Sequence, residues 1–139
     1  MDQSKDESHA HESHAHAPHA HASHAHGLAR QLPHHKLVAF AVAKDFLVAI
    51  LAAKIADGEL RNQATRAAKS VALNIAEAAG RASAKDKARV FTIARGELVE
   101  AIAALEIAVL IGAASQASLR TALPLADRLV ALLTGLCRH

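Results

Sequence analysis

Aromatic side chains are scarce in this sequence: it has no Trp or Tyr and only three Phe in 139 residues. Because large rings supply much of the volume of most protein cores, this core must be thin and aliphatic. Alanine, the best helix former, occurs 35 times. Since β-branched residues are few, the composition argues against a β-sandwich, a barrel or collagen and favours helices that pack closely.

Cysteine is limited to Cys137, which excludes a disulfide framework and a Cys-rich zinc site. Pairs of the E-x-x-H type, which build di-iron sites in helical bundles, are also missing, since no His lies between residues 36 and 138. No nucleophile stands with a base in a recognisable pattern. The sequence therefore predicts no enzymatic activity and no required cofactor.

Long uncharged apolar runs are missing too. The most apolar segment, residues 37–56, carries Lys44 and Asp45 near its middle, whereas a spanning helix needs about 20 mostly apolar residues. The first 27 residues have neither the apolar core of a secretory signal nor the Arg-rich pattern of a transit peptide. We therefore expect a cytoplasmic protein with no membrane partner.

Residues 1–27 form a segment of their own, with no bulky apolar side chain after Met1. Such a segment cannot bury enough surface to offset its ordering entropy, so we predict a disordered tail. An H-x-H pair recurs every five residues and places eight histidines in it: His9, His11, His14, His16, His19, His21, His24 and His26. Neutral imidazoles bind Ni, Zn, Cu or Co, so the tail is a candidate metal site. The pattern is equally typical of an incidental low-complexity extension or a purification handle.

Residues 28–139 are predicted to form one four-helix bundle domain. Apolar residues recur at i, i+3, i+4 and i+7 over about 35–56, 59–79, 84–112 and 118–137. Short turns containing Gly or Ser separate these segments. The pattern favours an all-α, antiparallel up-and-down four-helix bundle.

Helix ends and core faces can be assigned from the same pattern. Asp57-Gly58 is expected to end the first helix, Gly80 to provide a left-handed cap after the second, and Pro124 to break or kink the fourth. Ser83 and Asp86 resemble a capping box. The spacing assigns to the core Leu37, Phe40, Ala41, Leu47, Val48, Leu51 and Ile55 of the first helix, and Ile93 and Ile111 of the third. Gly96 is expected where two helices approach closely.

The bundle segment is basic, with fifteen Lys or Arg against nine Asp or Glu, whereas the tail carries one Lys against four acids. Cations concentrate in its middle, where we select as candidate nucleic-acid ligands Arg61, Arg66, Lys69, Arg81, Lys85, Lys87 and Arg89. They indicate either a solvated face or an electrostatic, salt-sensitive surface for RNA or DNA phosphates. Asn74 and Glu77, spaced i,i+3 among apolar residues, are predicted to be a structural polar pair bonded to a neighbouring helix or protomer.

The stretch RAAKSVALNIAEAAGRASAKDK, residues 66–87, resembles the signature of a bacterial four-helix-bundle family encoded in 23S ribosomal-RNA intervening sequences. The matching residues are Arg66, Ala67, Ala68, Ser70, Asn74, Ile75, Ala76, Glu77, Gly80, Arg81, Ser83 and Lys85. IARGEL at 93–98 resembles the family's IARGSL run. Ala72, Leu73, Ala78 and Glu97 depart from the pattern, each with a residue that a helix accommodates.

The resemblance implies a small all-α protein without catalytic activity. It also implies self-assembly, since some members are homopentamers, and a relationship to accessory proteins of diversity-generating retroelements, in which a basic surface contacts RNA and the polymerase. From the resemblance and the charge we expect a homopentamer that binds structured RNA or a nucleic-acid-processing protein. The alternative is a metal-buffering or metal-delivery protein that acts through the His-rich tail.

Overall fold

Four helices make up the described part of the chain, residues 31–138 of a computed structural model. They are α1 (Val38–Ala52), α2 (Gly58–Gly80), α3 (Ala84–Leu110) and α4 (Gln116–Leu136). A single 3₁₀ turn, Pro33–Lys36, precedes α1, and residues 31–138 contain no strand. The helices are joined by short connections, and α1 packs on α2 and α4 while α3 packs on the same two helices. The all-α four-helix bundle is therefore confirmed, whereas the predicted disordered tail lies outside the described residues.

The boundary between α1 and α2 differs from the sequence prediction. α1 ends at Ala52, and Lys54 takes the left-handed conformation, with φ 46°. Asp57 is the N-cap of α2, because its carboxylate accepts a hydrogen bond from the backbone N–H of Leu60 at 2.9 Å. The Asp57-Gly58 pair thus begins α2 and does not end α1.

The caps around α3 agree with the sequence in part. Ser83 Oγ accepts from the backbone N–H of Asp86 at 3.1 Å, as the capping pattern predicts. Gly80 is the last residue of α2 and is followed by an extended Arg81, so the predicted left-handed glycine at this turn is wrong. The left-handed glycine is Gly112, with φ 78°, just after α3.

Pro124 does not break α4, which continues without interruption from Gln116 to Leu136. The proline ring lacks the N–H that would bond the carbonyl of Arg120, four residues earlier. Both residues are exposed, so water can solvate that carbonyl. The predicted break is therefore avoided because the proline lies on the solvent side of the helix.

The core combines a few large aliphatic side chains with many alanines. Phe46, Ile75, Leu98, Leu105 and Leu133 are fully buried. Many of the buried residues of α2 and α3 are alanines: Ala64, Ala67, Ala68, Ala72 and Ala78 on α2 and Ala88, Ala94, Ala101, Ala104 and Ala108 on α3. Small side chains let the two backbones approach closely, so α2 and α3 form the tightest pair in the bundle.

The buried face of α1 agrees with the spacing only in part. Ile55, just after the helix, is buried, and Leu37, Phe40 and Leu47 are half-buried against the core. Val48 and Leu51 are 64% and 52% exposed, and Ala41 is exposed as well. The helix buries instead Ala39, Val42, Ala43, Phe46, Ala49 and Ile50. Because α1 is apolar on almost every side, its periodicity does not distinguish inside from outside. Within residues 31–138, no helix is both long and apolar enough to cross a membrane.

Candidate nucleic-acid and assembly surfaces

Two ion pairs fix the register of the α2–α3 hairpin. Arg66 Nη2 lies 3.7 Å from Glu100 Oε1 midway along it, and Arg81 Nη1 lies 3.3 Å from Asp86 Oδ2 at the turn. In an antiparallel pair of helices, two residues at the same height have residue numbers whose sum is nearly the same all along the pair. The two ion pairs give this sum, and it places Leu73 of α2 at the same height as Ile93 of α3. The outward sides of both helices therefore form one continuous surface.

The seven predicted nucleic-acid ligands divide into two groups on this hairpin. An α2 group consists of Arg61, Arg66 and Lys69. A turn group consists of Arg81, Lys85, Lys87 and Arg89. Twelve residues of sequence separate Lys69 from Arg81, or about 18 Å along a helix axis. The structure thus places the cations in two clusters rather than in one patch.

Two members of the α2 group, Arg66 and Lys69, line a shallow groove of about 680 Å³ together with Glu59, whereas Arg61 lies outside it. Arg61 donates a hydrogen bond to the carbonyl of Ile55 at 3.1 Å, which ties it to the α1–α2 connection. The Arg66 side chain is 76% exposed beside Glu100. Lys69 is exposed, and no carboxylate of the described chain pairs with it. The groove also presents the uncharged hydrogen-bonding side chains of Asn62, Gln63, Thr65 and Ser70, which the charge pattern alone did not identify.

Two of the four cations in the turn group, Arg81 and Arg89, are paired with carboxylates. Arg81 bonds Glu77, as the i,i+4 spacing favours, and also Asp86, which in turn accepts from Arg89 at 3.0 Å. The hydrogen bond that Arg81 donates to Glu77, followed by the charges of Asp86 and Glu77, raises the pKa of Arg81. Lys85 is exposed without an ion pair in residues 31–138, so it is the free charge of this group on the outer face.

Lys87 is separated from the rest of the turn group. It is half-buried and lines a cavity at the end of the bundle together with Phe91, one turn later on the same face of α3. Its charge therefore faces away from the surface that carries Lys85 and Arg89.

Asn74 and Glu77 make local bonds only. Asn74 Nδ2 donates to the carbonyl and to the hydroxyl of Ser70, each at 2.9 Å, on its own helix. Glu77 is exposed and bonds Arg81. No charged or polar residue is buried anywhere between residues 31 and 138. Neither residue bonds a neighbouring helix of the same chain, so a bond to another protomer stays a prediction.

An apolar stripe runs along the outward face of α3, which we call the α3 stripe: Ile93, Gly96, Val99, Ala103, Ile107 and Leu110. Val99 and Ile107 are each 48% exposed and Leu110 is 83% exposed. The sequence assigns Ile93, and Ile111 just after Leu110, to the core, but these two residues are 43% and 58% exposed. A Cβ added at Gly96 would meet nothing within 4 Å, so the expected close approach within the bundle is wrong.

The predicted metal ligands, the eight histidines between His9 and His26, lie outside the described residues. In the part of the chain that the structure describes, no group of three or more His, Cys, Asp or Glu side chains could hold a metal ion. A metal role would therefore depend on the tail.

Comparison with known proteins adds one finding. A family model described as 23S rRNA-intervening sequence protein matches residues 35–135, which is more than half of the chain and covers all four helices except the last residue of α4. No curated protein matches.

Proposed function

The chain belongs to the 23S rRNA-intervening sequence protein family, and on that basis we propose that it is a non-enzymatic assembly module that binds structured RNA. In this proposal several copies, five in our expectation, associate through the α3 stripe. The assembly then presents the cations of the α2–α3 hairpin to an RNA or to a nucleic-acid-processing protein.

The observation that carries the proposal is the α3 stripe. Contiguous exposed apolar surface on a small protein marks an interaction site. The stripe contains a glycine that costs about 1 kcal/mol in a helix relative to alanine and that nothing inside the bundle requires. A second copy that approaches the backbone at Gly96 supplies a reason for it. Leu110, the most exposed large apolar residue, would be buried by the same contact.

The chemistry of the cations favours phosphate recognition rather than base reading. Lys69, Lys85 and the Arg66 side chain are exposed on the hairpin. Phe91, the one aromatic residue on the hairpin, is only 4% exposed and cannot stack on a base. Folded RNA is recognised largely by shape and by backbone contacts, which suits such a surface. Because each copy offers few free charges, RNA binding would depend on an assembly that presents the charges of several copies together.

The test combines light scattering with RNA titration of the full chain. We expect a mass of several protomers, binding of a folded RNA at 50 mM salt, and much weaker binding at 200 mM. Ile107→Glu should reduce the mass and the affinity together, because it places a charge in the stripe. Ala131→Glu, which alters an exposed alanine on α4, is the matched control.

A second pair of variants separates charge from assembly. Lys69→Gln with Lys85→Gln should leave the mass unchanged and lower the steepness of the salt dependence by about one unit or more for each lysine in contact. The control is Lys44→Gln with Lys54→Gln, which alters two exposed lysines on or after α1. It should change neither the mass nor the salt dependence of RNA binding. A monomeric native chain, or an assembly that ignores folded RNA at low salt, contradicts the proposal.

A metal-buffering or metal-delivery role is the second candidate, and the repeated H-x-H pattern of residues 9–26 favours it. In that function the bundle anchors the tail and brings several tails together. The metal would be Cu, Ni, Zn or Co, with copper bound most tightly.

A further inference from the structure

One end of the bundle contains a cavity of about 400 Å³ that the proposed function does not use. It lies where the chain enters α1, α2 ends, α3 begins and α4 ends. Leu37, Ala79, Phe91 and Leu136 supply its apolar walls, and Lys36 and Lys87 are the charged residues that line it. Its volume falls within the roughly 300–1,000 Å³ of small-molecule sites.

The walls and the charges of this cavity favour one chemical class of ligand. Phe91 is buried, Leu37 and Leu136 are half-buried, and the short side chain of Ala79 leaves space between them. Apolar walls of this kind gain free energy by covering an alkyl chain or a ring. A ligand that consists only of a small anion would leave these walls uncovered.

The two lysines supply the polar part of the recognition. Among residues 31–138, no carboxylate lines the cavity and none forms an ion pair with Lys36 or Lys87. Asp86, the chain neighbour of Lys87, is already engaged by Arg81 and Arg89. Lysine covers apolar surface with its stem while its ammonium remains at the rim. Two cations at the mouth of an apolar cleft therefore select an anionic head joined to an apolar body.

We propose that this cavity binds a small amphipathic carboxylate, with its alkyl or aryl body against Leu37, Ala79 and Leu136 and its carboxylate between Lys36 and Lys87. The site lies apart from the α3 stripe, so it does not depend on assembly or on RNA.

The experiment uses the full chain with EDTA present, which keeps metal off the tail. Calorimetric titration compares octanoate, its neutral counterpart octanamide, and acetate, which has the same charge without the chain. Amide NMR shifts of Ala79, Phe91 and Leu136 locate the site. We expect octanoate to bind saturably with shifts at these residues, octanamide to bind roughly fivefold or more weakly, and acetate not to saturate.

Variants then test each part of the recognition. Lys36→Gln and Lys87→Gln should each weaken octanoate about fivefold and leave octanamide unchanged. Lys44→Gln, on α1 and outside the cavity, should have no effect. Ala79→Leu fills the space and should weaken both ligands about tenfold or more, with circular dichroism to confirm that it folds.

Three results would overturn the proposal. The first is absence of saturable octanoate binding to the native chain. The second is equal affinity for octanoate and octanamide, which would make the lysines irrelevant. The third is a set of NMR shifts that maps to another surface, such as the α3 stripe.

Discussion

Asp57 illustrates how a single side chain determines where a helix begins. The first N–H groups of a helix have no partner within it, and at α2 the carboxylate of Asp57 accepts from one of them, that of Leu60. Ser83 and Ser115 do the same for α3 and α4. All three caps lie in short connections, so they fix the lengths of the turns as well as the starts of the helices.

Removal of this cap should destabilise the fold measurably. We expect Asp57→Ala to lower the free energy of unfolding by about 1 kcal/mol, which corresponds to a fall of about 4 °C in Tm. Asp57→Asn, which keeps an accepting oxygen, should retain most of the stability. Asp45→Ala serves as the control, since Asp45 is exposed within α1 and makes no side-chain bond in the described structure. Equal losses for Asp57→Ala and Asp45→Ala would contradict the capping role.

The caps also show which local signals can be interpreted without coordinates. Ser83 followed by Asp86 was predictable because the pattern names both the acceptor and the position it serves. Asp57-Gly58 was not, because Gly after an apolar run indicates a helix end as readily as Asp before one indicates a start. The choice depends on where α1 unwinds, which the left-handed Lys54 decides.

At the level of elements, the outward side of α3 is unlike that of an ordinary surface helix. No cation occurs between Arg95 and Arg120, and the α3 stripe is interrupted chiefly by Glu100. α2 beside it carries the opposite character, with Asn62, Arg66 and Lys69 facing out. The hairpin therefore combines an apolar, acidic edge with a polar, basic one.

Replacement of Gly96 should separate stability from assembly. Gly96→Ala removes a flexible residue from an open helical position, so the unfolding free energy of the protomer should rise by about 0.5–1 kcal/mol. If a second copy approaches at this point, the same variant should weaken association in light scattering.

Gly135→Ala is the matched control, because that glycine also lies in a helix with nothing within 4 Å of an added Cβ. It should stabilise the protein without any change in mass. Unchanged mass in both variants would remove Gly96 from the proposed contact.

Helix existence followed from composition and spacing, but the choice of buried face did not always follow. α4 has a strong contrast between its sides and buries Ala122, Ala126, Leu129 and Leu133 on one face. α1 has little contrast, so Val42 and Phe46 were missed in favour of Val48 and Leu51. The sequence alone does not decide whether Pro124 breaks α4, because the cost of the proline depends on whether the freed carbonyl meets water, which is a property of the packed molecule.

At the scale of the whole chain, the tail and the bundle segment carry opposite charge. Residues 1–27 have an excess of acids, while residues 28–139 have an excess of Lys and Arg. Eight of the eleven histidines belong to the tail, so most of the imidazole of the protein is separate in sequence from its helices. Metal binding and folding should therefore be independent properties.

Deletion of residues 1–27 tests this independence. The full chain should bind about two copper or nickel ions if each ion takes up to four imidazoles, and the truncated chain should bind fewer than about one. The Tm of the metal-free protein should be the same for both, as no described core residue is removed. Unchanged metal stoichiometry would place the ligands elsewhere in the chain.

The candidate site was predictable as a list of residues but not as a surface. Sequence identified Arg81 and Arg89 as cations, yet only coordinates show that Asp86 lies between them. The sequence places Lys87 beside Lys85. A step of two residues along a helix rotates a side chain by about half a turn, so the two lysines lie on opposite sides of α3. Asn62 and Ser70 are uncharged, so the charge pattern does not identify them. Only the coordinates show that they line the groove.

The alanine-lined contact between α2 and α3 has an evolutionary consequence. In a leucine-rich core most substitutions remove volume, and neighbouring side chains can relax into part of the gap. Ala64, Ala68 and Ala101 are fully buried, so nearly every alternative side chain adds atoms to a space that is already packed. Sequence change at these buried alanines is thus confined largely to glycine and serine. The outer faces of the same helices are free to diversify and to bind new partners.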